Sequence, residues 1–196
     1  MNMKRQMIQR PQEREEYTVH PLKFILWMII VAIVMLFAGL TSAYIVKKID
    51  GKAWFEFQLP SMFMVSTIVI ILSSVAMWWS HRSAKRDEIQ SVKIGLATTL
   101  LLGLAFVGLQ YLGWKQLVDN NVYFTGFSVS ASFVYVISGL HLLHIVGGIV
   151  FLGIVLVKTF QYKVHKKNML SIALCSTYWH FVGVLWVYLY FFMTNA

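Results

Sequence analysis

Apolar residues fill five long stretches of this 196-residue chain, and charged residues gather between them. A helix rises about 1.5 Å per residue, so an uncharged run longer than about 18 residues can cross roughly 30 Å of hydrocarbon. Five runs meet that length, at about 24–46, 59–80, 94–114, 128–157 and 171–193. Each is apolar on every side, as in "FILWMIIVAIVMLFAGL" at 24–40. Strands of a membrane barrel would alternate apolar and polar residues, so the pattern predicts helices. The expected fold class is all-α: an integral membrane bundle of five transmembrane helices, with its N-terminus cytoplasmic and its C-terminus outside.

Residues 1–22 read as a polar cytoplasmic arm, with "HP" at 20–21 opening the first helix, and 23–196 as the transmembrane domain. "KKIDGKAWFEFQLP" and "KQLVDNNVYFTGF" read as outside connections, "HRSAKRDEIQSVK" and "KTFQYKVHKKN" as cytoplasmic loops. No charge falls between Asn120 and Val157, which predicts a long or tilted fourth helix with an interfacial turn near Tyr123 to Phe127. No repeat supports an inverted-repeat transporter.

Composition agrees with this pattern: 58% of residues are hydrophobic, 13% are charged, and mean hydropathy is +0.66. The net charge of +9 raises the question of nucleic acid, but the basic residues follow the membrane. Lys4, Arg5, Arg10, Arg14, Lys23, Arg82, Lys85, Arg86, Lys93, Lys158, Lys163, Lys166 and Lys167 fall on the N-terminal side, against Lys47, Lys48, Lys52 and Lys115 opposite. That is the positive-inside distribution. The first apolar run is too long for a signal core and lacks a small-residue cleavage site, so it is expected to stay in the protein. Cys175, the only cysteine, permits no intrachain disulfide.

All eight acidic residues lie outside the runs. Proton relays and ion-coupled pumps generally use carboxylates at depth, so an autonomous transporter is disfavoured. Small residues at one-turn spacing, Gly95, Thr99 and Gly103 on the third helix and Gly139, Gly147 and Gly148 on the fourth, suit close helix contacts. Trp27, Trp54, Trp78, Trp79 and Trp114 read as an interfacial belt, whereas Trp179 and Trp186 lie deeper and are expected to face protein.

The chemistry left at depth is imidazole. His141 and His144 are i, i+3 neighbours on the fourth helix, and His180 sits on the fifth, where the three could meet across one interface. Three imidazoles suit zinc or copper, and two on different helices suit haem. Neutral imidazoles also bridge helices by hydrogen bonds. Spacing leaves these readings open.

"SGLHLLHIVGG" at 138–148 and "YWHFVGVLWVYLYF" at 178–191 resemble the last two helices of subunit III of haem-copper respiratory oxidases. The family's "GxHxxH" segment is here "GLHLLH" at 139–144, and its "WHFVDxxW" is "WHFVGVLW" at 179–186. "MLFAGLTSAYI" at 35–45, "LPSMFMVSTIVIILSSVAMWWSHRS" at 59–83 and "FVGLQ" at 106–110 extend the resemblance over nearly the whole chain. It is similar to the five-helix form, which lacks the first two of seven helices.

The resemblance implies a non-catalytic subunit of a bacterial terminal oxidase in the cytoplasmic (inner) membrane, without a redox centre or metal of its own. Haem and copper then belong to partner subunits, in an assembly that reduces oxygen to water and translocates protons in aerobic respiration. The expected partners are subunit I, subunit II, and small subunits or a respiratory supercomplex. His141, His144, Trp179, His180 and Trp186 are then helix-interface residues. Bound phospholipid is expected, with Lys158 aligned to a headgroup position and His81 and Lys163 near the same level. The chain departs from the family where carboxylates are common: Ile33, Gly113 and Gly183 stand there. The competing reading is a haem-b or quinone-binding membrane anchor using His141, His144 and His180, with a small transporter third.

Overall fold

The computed structural model describes residues 21–51, 59–124, 128–161 and 169–195. They form five helices, α1 (Pro21–Asp50), α2 (Ser61–Lys85), α3 (Ile89–Asp119), α4 (Val129–Phe160) and α5 (Leu170–Asn195). All five are long and apolar enough to cross a membrane, and large side chains such as Phe24, Trp27, Met35, Leu101 and Leu143 point outward. The chain is an all-α integral membrane bundle.

Each helix is longer than the apolar run that predicted it, because the hydrogen-bonded backbone continues into polar flanks that hydropathy does not score as membrane. The clearest difference is "HRSAKRDEIQSVK". The loop expected there contracts to Arg86, Asp87 and Glu88, where Asp87 takes φ 62° and reverses the chain. An aspartate tolerates that left-handed conformation because its short side chain bonds locally. Proline fixes φ and needs no helical donor at N1, so α1 starts at Pro21, with Leu22 also helical; the rest of the expected arm lies outside the described residues. Ser128 caps α4 by accepting from the Ala131 amide. Tyr123 and Phe124 precede α4 without helical structure, and the remainder of the expected interfacial turn lies outside the described residues.

α2 packs on α3, α3 on α4, α4 on α5, and α5 back on α2, closing a four-helix ring in which successive helices run antiparallel. α1 leans on α4 and α5 from outside the ring.

The buried positions repeat every seven residues. On α3 they are Val92, Leu96, Thr99, Gly103, Phe106, Gln110, Gly113 and Leu117, alternating steps of four and three. α4 repeats the pattern from Val134 through Ser138, His141, Ile145, Gly148, Leu152 and Val155 to Thr159. On α2, Phe63, Ile70, Met77 and Ala84 form one seam, with Ser66, Ser73 and Ser80 beside it. A 3.5-residue period falls short of the 3.6 of a straight helix, which dictates a left-handed bundle crossing at about 20°.

Candidate functional site

Two tryptophans, one heptad apart on α5, organise the interior. Trp179 fills a slot made by glycines on two other helices. A Cβ on Gly103 would stand 2.8 Å from its ring, and one on Gly148 3.2 Å from it. Its Nε1 donates to Ser73 Oγ at 2.8 Å, so this single side chain joins α2, α3, α4 and α5. In the next layer Trp186 stacks on Phe63 (6.0 Å between centroids), meets Phe106 edge-on (5.3 Å) and lies 5.0 Å from the His141 ring. Its Nε1 donates to Thr67 Oγ1 at 3.0 Å. Trp179 and Trp186 are both fully buried.

A recurring device ties these layers. A serine or threonine donates its hydroxyl hydrogen back to a carbonyl of its own helix, freeing the oxygen to accept from a neighbouring helix. Thr67 donates to Phe63 O and accepts from Trp186. Ser66 donates to Phe63 O and accepts from Gln110 Nε2 at 2.9 Å. Ser138 donates to Val134 O and accepts from Trp114 Nε1 at 3.0 Å. Lipid offers no competing donor or acceptor, so such pairs hold helices together where hydrophobic burial gives no contrast. Ser66, Thr67, Ser73, Phe106 and Gln110 fall within the stretches 59–83 and 106–110 that carry the family resemblance, but the sequence assigns them no individual role; the heptad spacing of Ser66, Ser73 and Ser80 is the available signal.

The three histidines do not share one site. His141 is fully buried in a cage of rings, with Phe37 and Phe106 each 6.2 Å away and Trp186 on a third side. A porphyrin has no open face by which to reach it. His144 is half-buried, packs against Phe37 at 5.8 Å, and points Nδ1 at Leu140 O, 2.7 Å away. His180 is half-buried on α5, next to Trp179. Among the described residues no three of His, Cys, Asp and Glu are grouped to hold a metal ion.

The three positions that depart from the family pattern are filled by packing. Ile33 is buried on the inner face of α1. A Cβ on Gly113 would stand 3.0 Å from the Phe63 ring, and one on Gly183 2.9 Å from Ser74 Oγ. A carboxylate at either glycine would need its neighbour to move. Of the glycines on α4, Gly148 sits at a close crossing, whereas Gly139 and Gly147 have room around them. Trp114, expected in the interfacial belt, is half-buried and bonded to Ser138; Trp27, Trp78 and Trp79 face outward, and Trp54 lies outside the described residues.

A groove of about 410 Å³ opens between α1, α4 and α5, at the end of the bundle where α1 and α5 begin. Tyr44 packs α1 onto Phe133 and Phe192 at the opposite end. Leu26, Ile29, Phe151 and Leu174 form its apolar wall, Gly147 and Tyr178 its deep end, and Lys158 its cationic mouth. His81 lies on α2 and does not line this groove, and Lys163 lies outside the described residues.

Comparison with known proteins agrees with this arrangement. The family model described as cytochrome c oxidase subunit III matches residues 13–195. Curated relatives called cytochrome c oxidase subunit 3 from Cyprinus carpio and Carassius auratus are each 31% identical over 137 residues, 68% of this chain and 49% of theirs. A third, from Gadus morhua, is 30% identical over the same length. The chain thus spans about half the length of the curated relatives it matches. With the model matching nearly the whole bundle, the chain belongs to the cytochrome c oxidase subunit III family.

Proposed function

We propose that this protein is the non-catalytic subunit III of a bacterial haem-copper terminal oxidase, holding subunit I in a stable assembly and binding lipid. Oxygen reduction and proton translocation belong to the assembly, with haem and copper in partner subunits. One observation carries the reading. The family-motif residues His141, Trp179 and Trp186 are fully buried: the two indoles donate to hydroxyls of α2, and His141 packs only against rings of α1, α3 and α5, in the manner of a scaffold. In a membrane anchor for haem, by contrast, the equivalent imidazoles would face a cavity wide enough for a porphyrin.

The sidedness follows from charge. Thirteen basic residues on the side of the N-terminus against four opposite support a cytoplasmic N-terminus in the bacterial inner membrane. On that orientation the groove opens in the cytoplasmic leaflet. Its apolar wall suits an acyl chain, and Lys158 at its mouth suits an anionic headgroup.

Affinity purification of the tagged chain in mild detergent tests the reading, with visible spectra taken of the whole eluate and of this chain after partners are stripped. Haem that leaves with a large partner supports it. Haem retained by the isolated chain would establish the anchor instead. Lipid analysis of the same eluate is expected to show less anionic lipid for Lys158→Gln than for the unchanged chain.

A further inference from the structure

Both ring nitrogens of His141 and Oε1 of Gln110 are buried without a hydrogen-bond partner among the described residues. Lipid supplies no donor or acceptor at that depth, and a polar atom left unpaired in a dry interior is costly.

The two side chains stand at one level of the bundle. Trp114 donates to Ser138, and a Cβ on Gly103 would sit 3.5 Å from Ile149, so these two pairs fix the antiparallel register of α3 and α4. Counted from either pair, Gln110 falls opposite Leu142, one residue from His141. Gln110 lies on the buried seam of α3 and His141 on that of α4. Phe106, one turn before Gln110 on the same seam, meets the imidazole edge-on at 6.2 Å.

Neither group is free to turn to the other. Ser66 donates to Phe63 O and accepts from Gln110 Nε2, which fixes the amide with its oxygen away from Ser66. Phe37, Phe106 and Trp186 hold the imidazole on three sides. The nearby donors are committed as well: the Trp186 indole to Thr67, the Trp114 indole to Ser138, and the Ser138 hydroxyl to Val134 O. Gln110 Oε1 therefore needs a donor. His141, with one N–H and one bare nitrogen in either neutral tautomer, needs an acceptor and a donor. Water is both, and buried waters in proteins serve unpaired polar groups in this way.

We infer that a water molecule is held between α3 and α4 at this level, donating to Gln110 Oε1 and accepting from the ring N–H of His141. The water extends the polar link from Ser66 on α2 through Gln110 on α3 to His141 on α4. The site stands independently of the oxidase reading.

Solid-state NMR of the full-length chain in native lipid supplies the test, with imidazole nitrogens isotopically labelled and polarisation transferred from water. The His141 signal is assigned as the one missing in His141→Phe. The expected result is transfer to the His141 ring in the unchanged chain and its loss in Gln110→Leu, which removes the acceptor with little change in volume. A His141 ring that receives no transfer in the unchanged chain overturns the inference, and so does transfer that persists in Gln110→Leu. If Gln110→Leu does not fold, a high-resolution density map of the unchanged chain decides. A water peak within hydrogen-bond distance of both Gln110 Oε1 and a His141 nitrogen sustains the site. A direct bond between the two side chains, or no peak between them, refutes it.

Discussion

The slot around Trp179 makes a quantitative prediction. A methyl added at Gly103 would approach Trp179 Cη2 to 2.8 Å, and the ring has nowhere to retreat, because Gly148 borders its other edge and Ser73 holds its Nε1 at 2.8 Å. Overpacking of this kind costs about 1–3 kcal/mol. Trp179→Phe removes the part of the ring facing Gly103. It forfeits one interhelical hydrogen bond, about 1 kcal/mol, and leaves a cavity costing about 1–2 kcal/mol more. If the two changes were independent, the double variant would lose about 3–6 kcal/mol. In the slot geometry the new methyl enters the space that the indole vacates, so the double variant should be no less stable than Trp179→Phe alone. The cycle then shows a favourable coupling of about 1–3 kcal/mol. Reversible unfolding in mixed micelles, followed by far-ultraviolet circular dichroism, measures all four proteins. Additive losses would refute the slot.

Other positions carry shorter predictions. Thr67→Val leaves the Trp186 indole without its acceptor in a dry interior and should lower stability by about 1–3 kcal/mol in the same unfolding assay, with Thr67→Ser close to unchanged. Restoring the family carboxylate with Gly183→Asp should destabilise the bundle or reduce its expression in membranes, since the new Cβ meets Ser74 Oγ at 2.9 Å, and Ser74→Gly should recover part of the loss. Asp87→Val places a β-branched residue at φ 62° and should cost about 1–2 kcal/mol, whereas Asp87→Asn should be tolerated; thermal denaturation of the purified chain separates the two.

Much of this architecture is legible in the sequence, but for uneven reasons. Hydropathy reveals the number of helices because each must cross the same hydrocarbon thickness. It hides which face turns inward, since Leu101 toward lipid and Leu96 in the core are equally apolar. The inner face is marked instead by residues that lipid would reject or that packing requires to be small. Gly103 and Thr99 are found that way, and Ser66, Ser73 and Ser80 were there to be found at heptad spacing.

Trp179 and Trp186 are legible as buried because they lie deep in a span. Trp114 is not, because its place near a helix end is shared by interfacial tryptophans, and only the fold brings Ser138 within 3.0 Å of it. The separation of His180 from His141 also depends on the fold: Trp179 faces the interior, so the next residue along α5 is turned about 100° away from it. Spacing along a chain places side chains on a helix face. It does not say which neighbour that face will meet.

The most direct test of the central claim, that the buried motif residues tie helices and do not ligate a cofactor, is the haem content of the assembled complex carrying His141→Phe. The account predicts that haem per assembled complex and its visible spectrum are unchanged, even where the variant chain is less stable. Loss of haem from a complex in which this chain remains stoichiometric would contradict it and make His141 a ligand.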